Sequence, residues 1–410
     1  MKRVLVVGSG VAGVAAALAA RARGAQVTLV GTRPGATVLA PGALDDAPWE
    51  SCAGSLPERL PLPAPALGVL DALGAYAVKG SGVLLATTAG LVRPARGADR
   101  ALLDLASLPP GPVLVPRFDH PGYDARWLAR AWSDSGIAKA RSLGFVAEPA
   151  QLTRYVDEHS LPDADLAARH DDPARLAWLA GRLVEALRVT PRPLAIVLPA
   201  WLGVDLSRAQ DLSEQVGVPC GEALTGTGGP SGLRFERARD RALAKAGVEV
   251  VAGHVVRAEH GGRSAEAVEW LVSLESGELV VSDAVVLATG GLLGGGLEYT
   301  PAGSVLSAAL PPGPRSIARA TIDAPLALFA FRKPLETPSS LQGSPAESHT
   351  WPFAEDPLLD RVGVRADEDG RAFGAPPGLH VAGELVADLP RTWLAALTSG
   401  AHAGVAAAED

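Results

Sequence analysis

The 410-residue sequence predicts an α/β fold: a discontinuous dinucleotide-binding domain, residues 1–110 and 223–410, interrupted by a smaller inserted α/β domain over residues 111–222. Three observations predict it. A glycine-rich turn, GSGVAG at 8–13, follows the apolar run Val4 to Val7 and opens an alanine-rich helix. Two later apolar runs, DAVVLATGG (283–291) and GLHVAGELVAD (378–388), also end in small residues, as strands do where backbone passes close to a ligand. Between Pro112 and Gly217, two further strand-then-helix units stand apart from these.

The first element carries the most chemistry. In the pattern Gly8-Ser9-Gly10-Val11-Ala12-Gly13, Gly8 makes the turn, Gly10 admits a pyrophosphate to the backbone, and Gly13 lets helix and strand pack closely. The helix that starts at Val11 and Ala12 then offers N–H groups and a partial positive charge to phosphate. A second strand, Gln26 to Val30, follows Gly24 at βαβ distance. The acid that usually closes this strand and binds a ribose is absent, because position 31 is glycine. Thr32 offers a weaker hydroxyl and Arg33 suits a 2′-phosphate, so this unit alone does not name the nucleotide.

Residues 31–66 read as loop with short helical pieces, and GVLLATTAGLVRPA (82–95) as a hairpin over the dinucleotide domain. In the insertion, VLVPRF is a strand, and YDARWLARAWSDSG a helix with Trp127, Leu128, Ala131 and Trp132 on one side. Leu176, Leu179, Leu183 and Leu187 follow at core spacing, and PLAIVLPA (193–200) with LSRAQDLSEQVG forms the next unit. Residues 232–246 make a charged amphipathic helix ending at Gly247, and Arg234, Arg237, Arg239 and Arg241 read mainly as its solvated face. AVEWLVSLES and ELVVSDAVVLATGG are an antiparallel excursion and a return strand. The Pro-rich stretch 300–356 is expected to fold over the substrate side, and a last helix to start at Ser399-Gly400.

Composition excludes several functions. A net charge of −8 without a basic run argues against nucleic-acid binding. Apolar stretches are broken well before the roughly 18 residues a spanning helix needs, and the first strand begins at once, so cytoplasmic residence is expected, with any attachment to the inner membrane face made through a partner. Cys52 and Cys220 are the only cysteines, which fits a reducing compartment and falls short of a four-cysteine iron–sulfur site. The eight histidines lack ligand spacing, so no metal is expected. No G-x-S-x-G elbow suggests a hydrolase.

A nicotinamide dehydrogenase needs only the first glycine turn. The three small-residue strand ends in this order resemble the two-dinucleotide-fold flavoproteins, which implies an FAD-binding Rossmann-like domain. In that resemblance Gly8, Gly10, Val11, Ala12 and Gly13 hold the pyrophosphate, Thr289 and Gly290 pass the adenylate side, Gly383 and Glu384 hold the ribityl chain, and Val256 faces adenine through its backbone; Thr32, Gly42, Ser399 and Gly400 complete the set. APGALDD, PAWLGVD, LPDADLAARHDD and LATGGLLGGGLEY narrow it, over most of the chain, to a resemblance to the second of the subunits of the anaerobic glycerol-3-phosphate dehydrogenase family. That family implies FAD, with FMN the alternative. It also implies a complex with a catalytic flavoprotein subunit and an iron–sulfur subunit, passing electrons to a quinone pool. The sequence departs from the family at DLPRTW and LTSGAHAG before and within the last helix, where the family carries a triple-glycine cluster. Two other readings therefore stay open: a self-contained FAD oxidoreductase of another small acid or amine, and a flavin-free structural subunit.

Oxidation of a carbinol by a flavin needs a base for the hydroxyl proton and cations for a phosphate substrate. His402 is the candidate base by its position after the expected helix start, weighed against a packed or solvent-facing histidine. Arg391, Arg315 and Arg319 are candidate phosphate ligands, weighed against ion-pair roles, and His349 is a weaker candidate.

Overall fold

The computed structural model describes residues 1–31, 35–46, 61–188, 191–261, 269–291, 296, 298–300, 321–323 and 363–410. In chain order the strands are β1 (Arg3–Val7), β2 (Gln26–Val30), β3 (Ala43–Leu44), β4 (Tyr76–Ala86), β5 (Val92–Asp99), β6 (Gly111–Arg117), β7 (Leu143–Pro149), β8 (Ala195–Leu198) and β9 (Cys220–Glu222). They continue with β10 (Glu249–Val251), β11 (Val255–His260), β12 (Trp270–Leu274), β13 (Leu279–Ser282), β14 (Ala284–Leu287), β15 (Glu298–Thr300), β16 (Thr321–Asp323) and β17 (Leu379–Val381). The helices are α1 (Val11–Ala22), α2 (Ala64–Leu73), α3 (Ala125–Asp134), α4 (Gly136–Ala140), α5 (Asp163–Arg169), α6 (Pro173–Ala186), α7 (Ala209–Val216), α8 (Pro230–Ala246) and α9 (Trp393–Glu409).

Two compact units divide the chain. The first comprises Met1–Ala36, Leu62–Val69 and Ala242–Asp410. Its centre is a five-stranded sheet in the order β10-β2-β1-β14-β17, and every pairing in it is parallel. Val4 to Val7 are buried in the middle strand, as a sheet covered on both faces requires. Helix α1 is buried from Val11 to Ala20 and packs along α9. The two axes approach closely because Gly400 and Gly404 face Ala12 and Ala16, where a Cβ would stand 2.1 and 2.2 Å from backbone carbonyl oxygens. The antiparallel sheet β11-β12-β13 is the excursion read from the sequence, and the Trp270 indole N–H in its core donates to the Pro377 carbonyl at 3.1 Å. Strands β15 and β16 pair antiparallel.

Helix α9 begins at Trp393, not at Ser399. The Thr392 hydroxyl caps it by accepting the Ala395 N–H at 3.3 Å, and Leu-Ala-Ala-Leu propagates the helix through the glycine that reads as a start in the sequence. The third parallel run likewise stops at Val381, and Gly383–Leu385 form a 3₁₀ turn.

The second unit comprises Thr37–Pro61 and Leu70–Arg241. A four-stranded parallel sheet, β7-β6-β8-β9, occupies the region read as the insertion, and the hairpin β4–β5, with β3, forms a three-stranded antiparallel sheet beside it. Bridges between Thr87 and Leu224 and between Leu102 and Glu222 join these sheets, and one apolar core runs from Ala86 and Val92 to Val113 and Val197. The unit therefore takes in more chain than 111–222. Leu176, Leu179, Leu183 and Leu187 are all buried. On α3 the buried residues are Ala125, Leu128, Ala129 and Trp132, whereas Trp127 is 51% exposed and lies against Gly90, on the other side of the helix from the one its spacing suggests.

Arg234 is also not on a solvated face. It is 1% exposed and bridges two buried acids, with Nε donating to Asp99 at 2.7 Å and Nη2 to Glu222 at 2.6 Å. Glu222 also accepts the Leu202 N–H at 2.6 Å. With one guanidinium for two carboxylates, burial raises the Glu222 carboxyl above its ordinary range. Of the other arginines on α8, Arg237 is exposed and paired with Asp205, and Arg241 donates to the Asp205 carbonyl.

Candidate functional site

In the first unit the parallel pairing sends the ends of β1, β14 and β17 to one edge of the sheet. In open α/β sheets this carboxyl edge is where ligands bind. β1 passes into Gly8 at φ +112°, which L side chains rarely adopt, and a Cβ there would stand 2.2 Å from the Ala288 carbonyl oxygen. A Cβ on Gly13 would stand 1.9 Å from the Gly8 carbonyl oxygen, and one on Gly383 2.7 Å from the Ala12 Cβ. Thr289 and Gly290 follow directly on the Ala288 contact. Gly8, Ala12, Gly13, Thr289, Gly290, Gly383 and Gly400 are thus brought together, and what lines this edge is backbone.

Gly10 is the N-cap of α1, in extended backbone, with no side chain spent on capping, and Val11 is the first helical residue. The cradle therefore fits a pyrophosphate, which would meet amides and a helix N-terminus rather than side chains. Gly291 leaves room for Glu384, whose Oε2 would stand 3.1 Å from a Cβ at that position. Ser399 also reaches this edge, although from the middle of α9, and its Oγ accepts the Gly383 N–H at 3.1 Å.

The remaining predicted residues fall elsewhere. Val256 sits at a register shift in the β11–β12 pairing and is 48% exposed, so its backbone stands outside the regular ladder. Gly42 belongs to the second unit, where Asp99 N–H donates to its carbonyl at 2.8 Å and a Cβ would meet Ser231 Oγ at 2.7 Å. Asp45 and Asp46 of the same passage are held by Arg93 and Arg96. Thr32, Arg33, Arg315, Arg319 and His349 lie outside the described residues.

His402 stands in the third turn of α9, two residues from Gly400 and therefore about 200° round the helix from the face packed on α1. Because α9 starts at Trp393, His402 is not just after a helix start, and the positional argument for it as a base does not hold. Arg391 donates from Nη1 to the Glu384 carbonyl oxygen, an intrachain contact at the same turn.

Sequence reasoning misses Ser9. It is buried, and its Oγ stands 2.7 Å from the place of a Cβ on residue 31. A side chain at the end of β2 would crowd the Ser9 hydroxyl, which would have to turn aside to admit it. The signal is the serine inside the glycine turn. Among the described residues no group of His, Cys, Asp or Glu is placed to hold a metal, and no helix is long and apolar enough to cross a membrane.

Comparison with known proteins agrees with the edge geometry. Residues 3–49 match the model of the FAD binding domain family. No curated protein matches the chain. Among solved structures, the chain is similar to the Mycobacterium smegmatis Sdh1 complex in the apo form, at 15% identity over 100% of this chain and 69% of that chain, TM-score 0.33. It is also similar to a putrescine oxidase triple mutant (16% identity, 70% and 58% covered, TM-score 0.22) and to L-amino acid deaminase from Proteus myxofaciens in complex with anthranilate (15%, 71% and 46%, TM-score 0.27). The chain thus spans little over half of the putrescine oxidase and under half of the deaminase. Likeness at these scores decides neither substrate nor reaction. The glycine turn, the parallel order of the strands and the matched segment agree on an FAD-binding Rossmann-like α/β fold, and the matched segment names FAD as its cofactor.

Proposed function

We propose that this chain is an FAD-dependent oxidoreductase. In its finer form, the reading is a flavin-bearing subunit of an anaerobic glycerol-3-phosphate dehydrogenase, oxidising glycerol 3-phosphate to dihydroxyacetone phosphate. The observation that carries the coarse reading is the convergence of the Gly8, Ala288-Thr289 and Gly383-Glu384 turns at one sheet edge. The finer reading is supported by the family-like passages APGALDD and LATGGLLGGGLEY.

FAD, when bound, supplies the acceptance and release of electrons. The chain's own share is binding. Backbone amides at the start of α1 take the diphosphate, and the Gly383-Glu384 turn orients the ribityl side. Carbinol oxidation also needs a base and phosphate ligands in fixed geometry. His402 stands on the helix face away from α1, and Arg391 is engaged with the Glu384 carbonyl. This supports a flavin acting mainly as electron relay, with substrate oxidation on a partner flavoprotein subunit and onward transfer through an iron–sulfur subunit to quinone.

The absorption spectrum and the mass of the released cofactor test the coarse reading. FAD is expected, and Gly13→Val, whose side chain would overlap the Gly8 carbonyl, should abolish its binding. A colourless chain that cannot be reconstituted refutes it. Co-purification of partner subunits, and flavin reduction by glycerol 3-phosphate only in their presence, test the finer one; full turnover by the chain alone refutes the relay.

A further inference from the structure

We propose that Arg391 and Ser399 are positioning residues for the flavin site, a pair that clamps the Gly383-Glu384 turn by one hydrogen bond each without being ligands themselves. The inference rests on the FAD reading above. Gly383 has φ +69° and leaves β17 against Ala12, so the chain must turn sharply just where it meets α1. A turn of this kind is held only if its polar groups have fixed partners. Ser399 Oγ accepts the Gly383 N–H at 3.1 Å from the side of α9. The Arg391 guanidinium donates to the next carbonyl, that of Glu384, from the segment just before α9. Val386 N–H closes the turn on the Gly383 carbonyl at 3.0 Å. The Glu384 side chain lies against Gly291, on the strand end that follows β14.

Both clamps come from α9 or its approach, and α9 is itself fixed on α1 by the contacts of Gly400 and Gly404 with Ala12 and Ala16. The helix that carries the phosphate-facing N-terminus and the turn that carries Glu384 are thus held in one register. This gives a function to the bulky DLPRTW passage: Arg391 supplies the donor that ties the turn to the start of α9.

The test is titration of the FAD-free chain with FAD, followed by flavin fluorescence, together with amide hydrogen exchange over residues 382–386 in the same FAD-free chain. Ser399→Ala and Arg391→Ala should each speed exchange of the turn and weaken FAD about 10-fold, the worth of one hydrogen bond. The double variant should lose less than the product, because both act on one turn. Ser399→Thr and Arg391→Lys, which keep an acceptor and a donor, should recover part of the protection and affinity, and they carry the test if the alanine variants do not fold. Exchange unchanged in the variants overturns the clamp. Faster exchange with FAD affinity within roughly twofold of the parent overturns its role toward the flavin. A parent chain that takes up no FAD refutes the proposed function instead, and the exchange data still decide whether the clamp exists.

Discussion

The edge around Gly8 and the interior around Arg234 meet the demands of burial by opposite means. At the first, side chains are removed: Gly8, Gly13, Gly383, Gly400 and Gly404 bring backbone to within the space of one missing Cβ. At the second, charge is brought in: Arg234, Asp99 and Glu222 are each at most 2% exposed, and one guanidinium is shared by two carboxyl groups from elements far apart in the chain. A ligand can share the first kind of site, because backbone donors and carbonyls are left facing one edge. The second kind consumes its own polar groups, and its effect is to lock β5, β9 and α8 together. The difference separates a site built to bind from an interior built to hold shape.

Breaking the lock should have the largest effect. Arg234→Ala leaves two carboxylates buried without their counter-ion and should cost about 3–5 kcal/mol, a large part of the roughly 5–15 kcal/mol that keeps a protein folded. Replacing all three residues by apolar ones of similar volume, Arg234→Met with Asp99→Leu and Glu222→Leu, should recover only part of that loss: the ion cluster is roughly balanced by its desolvation, but the Leu202 and Ala101 N–H groups and the Gly203 carbonyl lose their partners. Urea unfolding of both variants measures it; a triple variant as unstable as the single one would show that these backbone contacts matter as much as the charges.

The same contrast explains what can be read from the sequence. Glycine patterns are local, so β1, the turn at Gly8, the strand Gln26–Val30 and the buried face of α6 follow from neighbouring residues alone. Arg234 is 135 residues from Asp99; helical spacing sets it in one arc with the buried Phe235 and Ala238 and leaves the exposed Arg237 outside that arc, but nothing near it in the sequence names its two acids. Trp127 falls outside the buried face of α3 because it lies about 100° round the helix from Leu128 and about 140° from Trp132, and the core takes the side that these two share with Ala125 and Ala129. The start of α9 is hidden for a related reason. Gly400 looks like a boundary, while its actual partner, Ala12, lies at the other end of the chain. The approach of Ser9 to residue 31 belongs with these, as a contact between two local motifs.

A smaller effect is expected from acid. In the second unit His170 is fully buried, with Nδ1–H donating to the Leu166 carbonyl at 2.8 Å, and burial, with the charge of Arg175 adding, lowers its pKa from 6.5 to about 4. A group whose folded pKa is depressed contributes stability that is present above its unfolded pKa and lost as pH falls toward the folded value. The loss should therefore run from about pH 6.5 to about pH 4 and reach about 3 kcal/mol at its lower end. Glu158, Asp283 and Asp410, whose pKa values are lowered, lose their contributions at lower pH, whereas Glu222, with a raised pKa, works in the opposite direction as it gains a proton. The difference between the parent and His170→Gln isolates the histidine. Parallel stability curves for the two between pH 7 and pH 4 would refute the assignment.

The smallest effects give the sharpest comparison, because one substitution should change sign between the edge built by missing side chains and an open helix surface in the second unit. Glycine inside a helix costs roughly 0.5–1 kcal/mol relative to alanine, so Gly→Ala gains that much wherever a methyl group has room. Gly181, on the exposed side of α6, has nothing within 4 Å of the added Cβ, and Gly181→Ala should raise stability by roughly that amount. Gly404 is equally helical, but its Cβ would stand 2.2 Å from the Ala16 carbonyl oxygen, and backbone cannot swing aside as a flexible side chain can. Gly404→Ala must push α9 off α1, at a cost of about 1–3 kcal/mol that outweighs the gain in propensity. The movement would also carry Ser399 away from Gly383, so FAD should bind more weakly in this variant and unchanged in Gly181→Ala. Thermal unfolding with and without FAD reads both quantities. If Gly404→Ala is as stable as the parent, α1 and α9 do not approach through a stripe of missing side chains, and the description of this edge as one built by their removal fails.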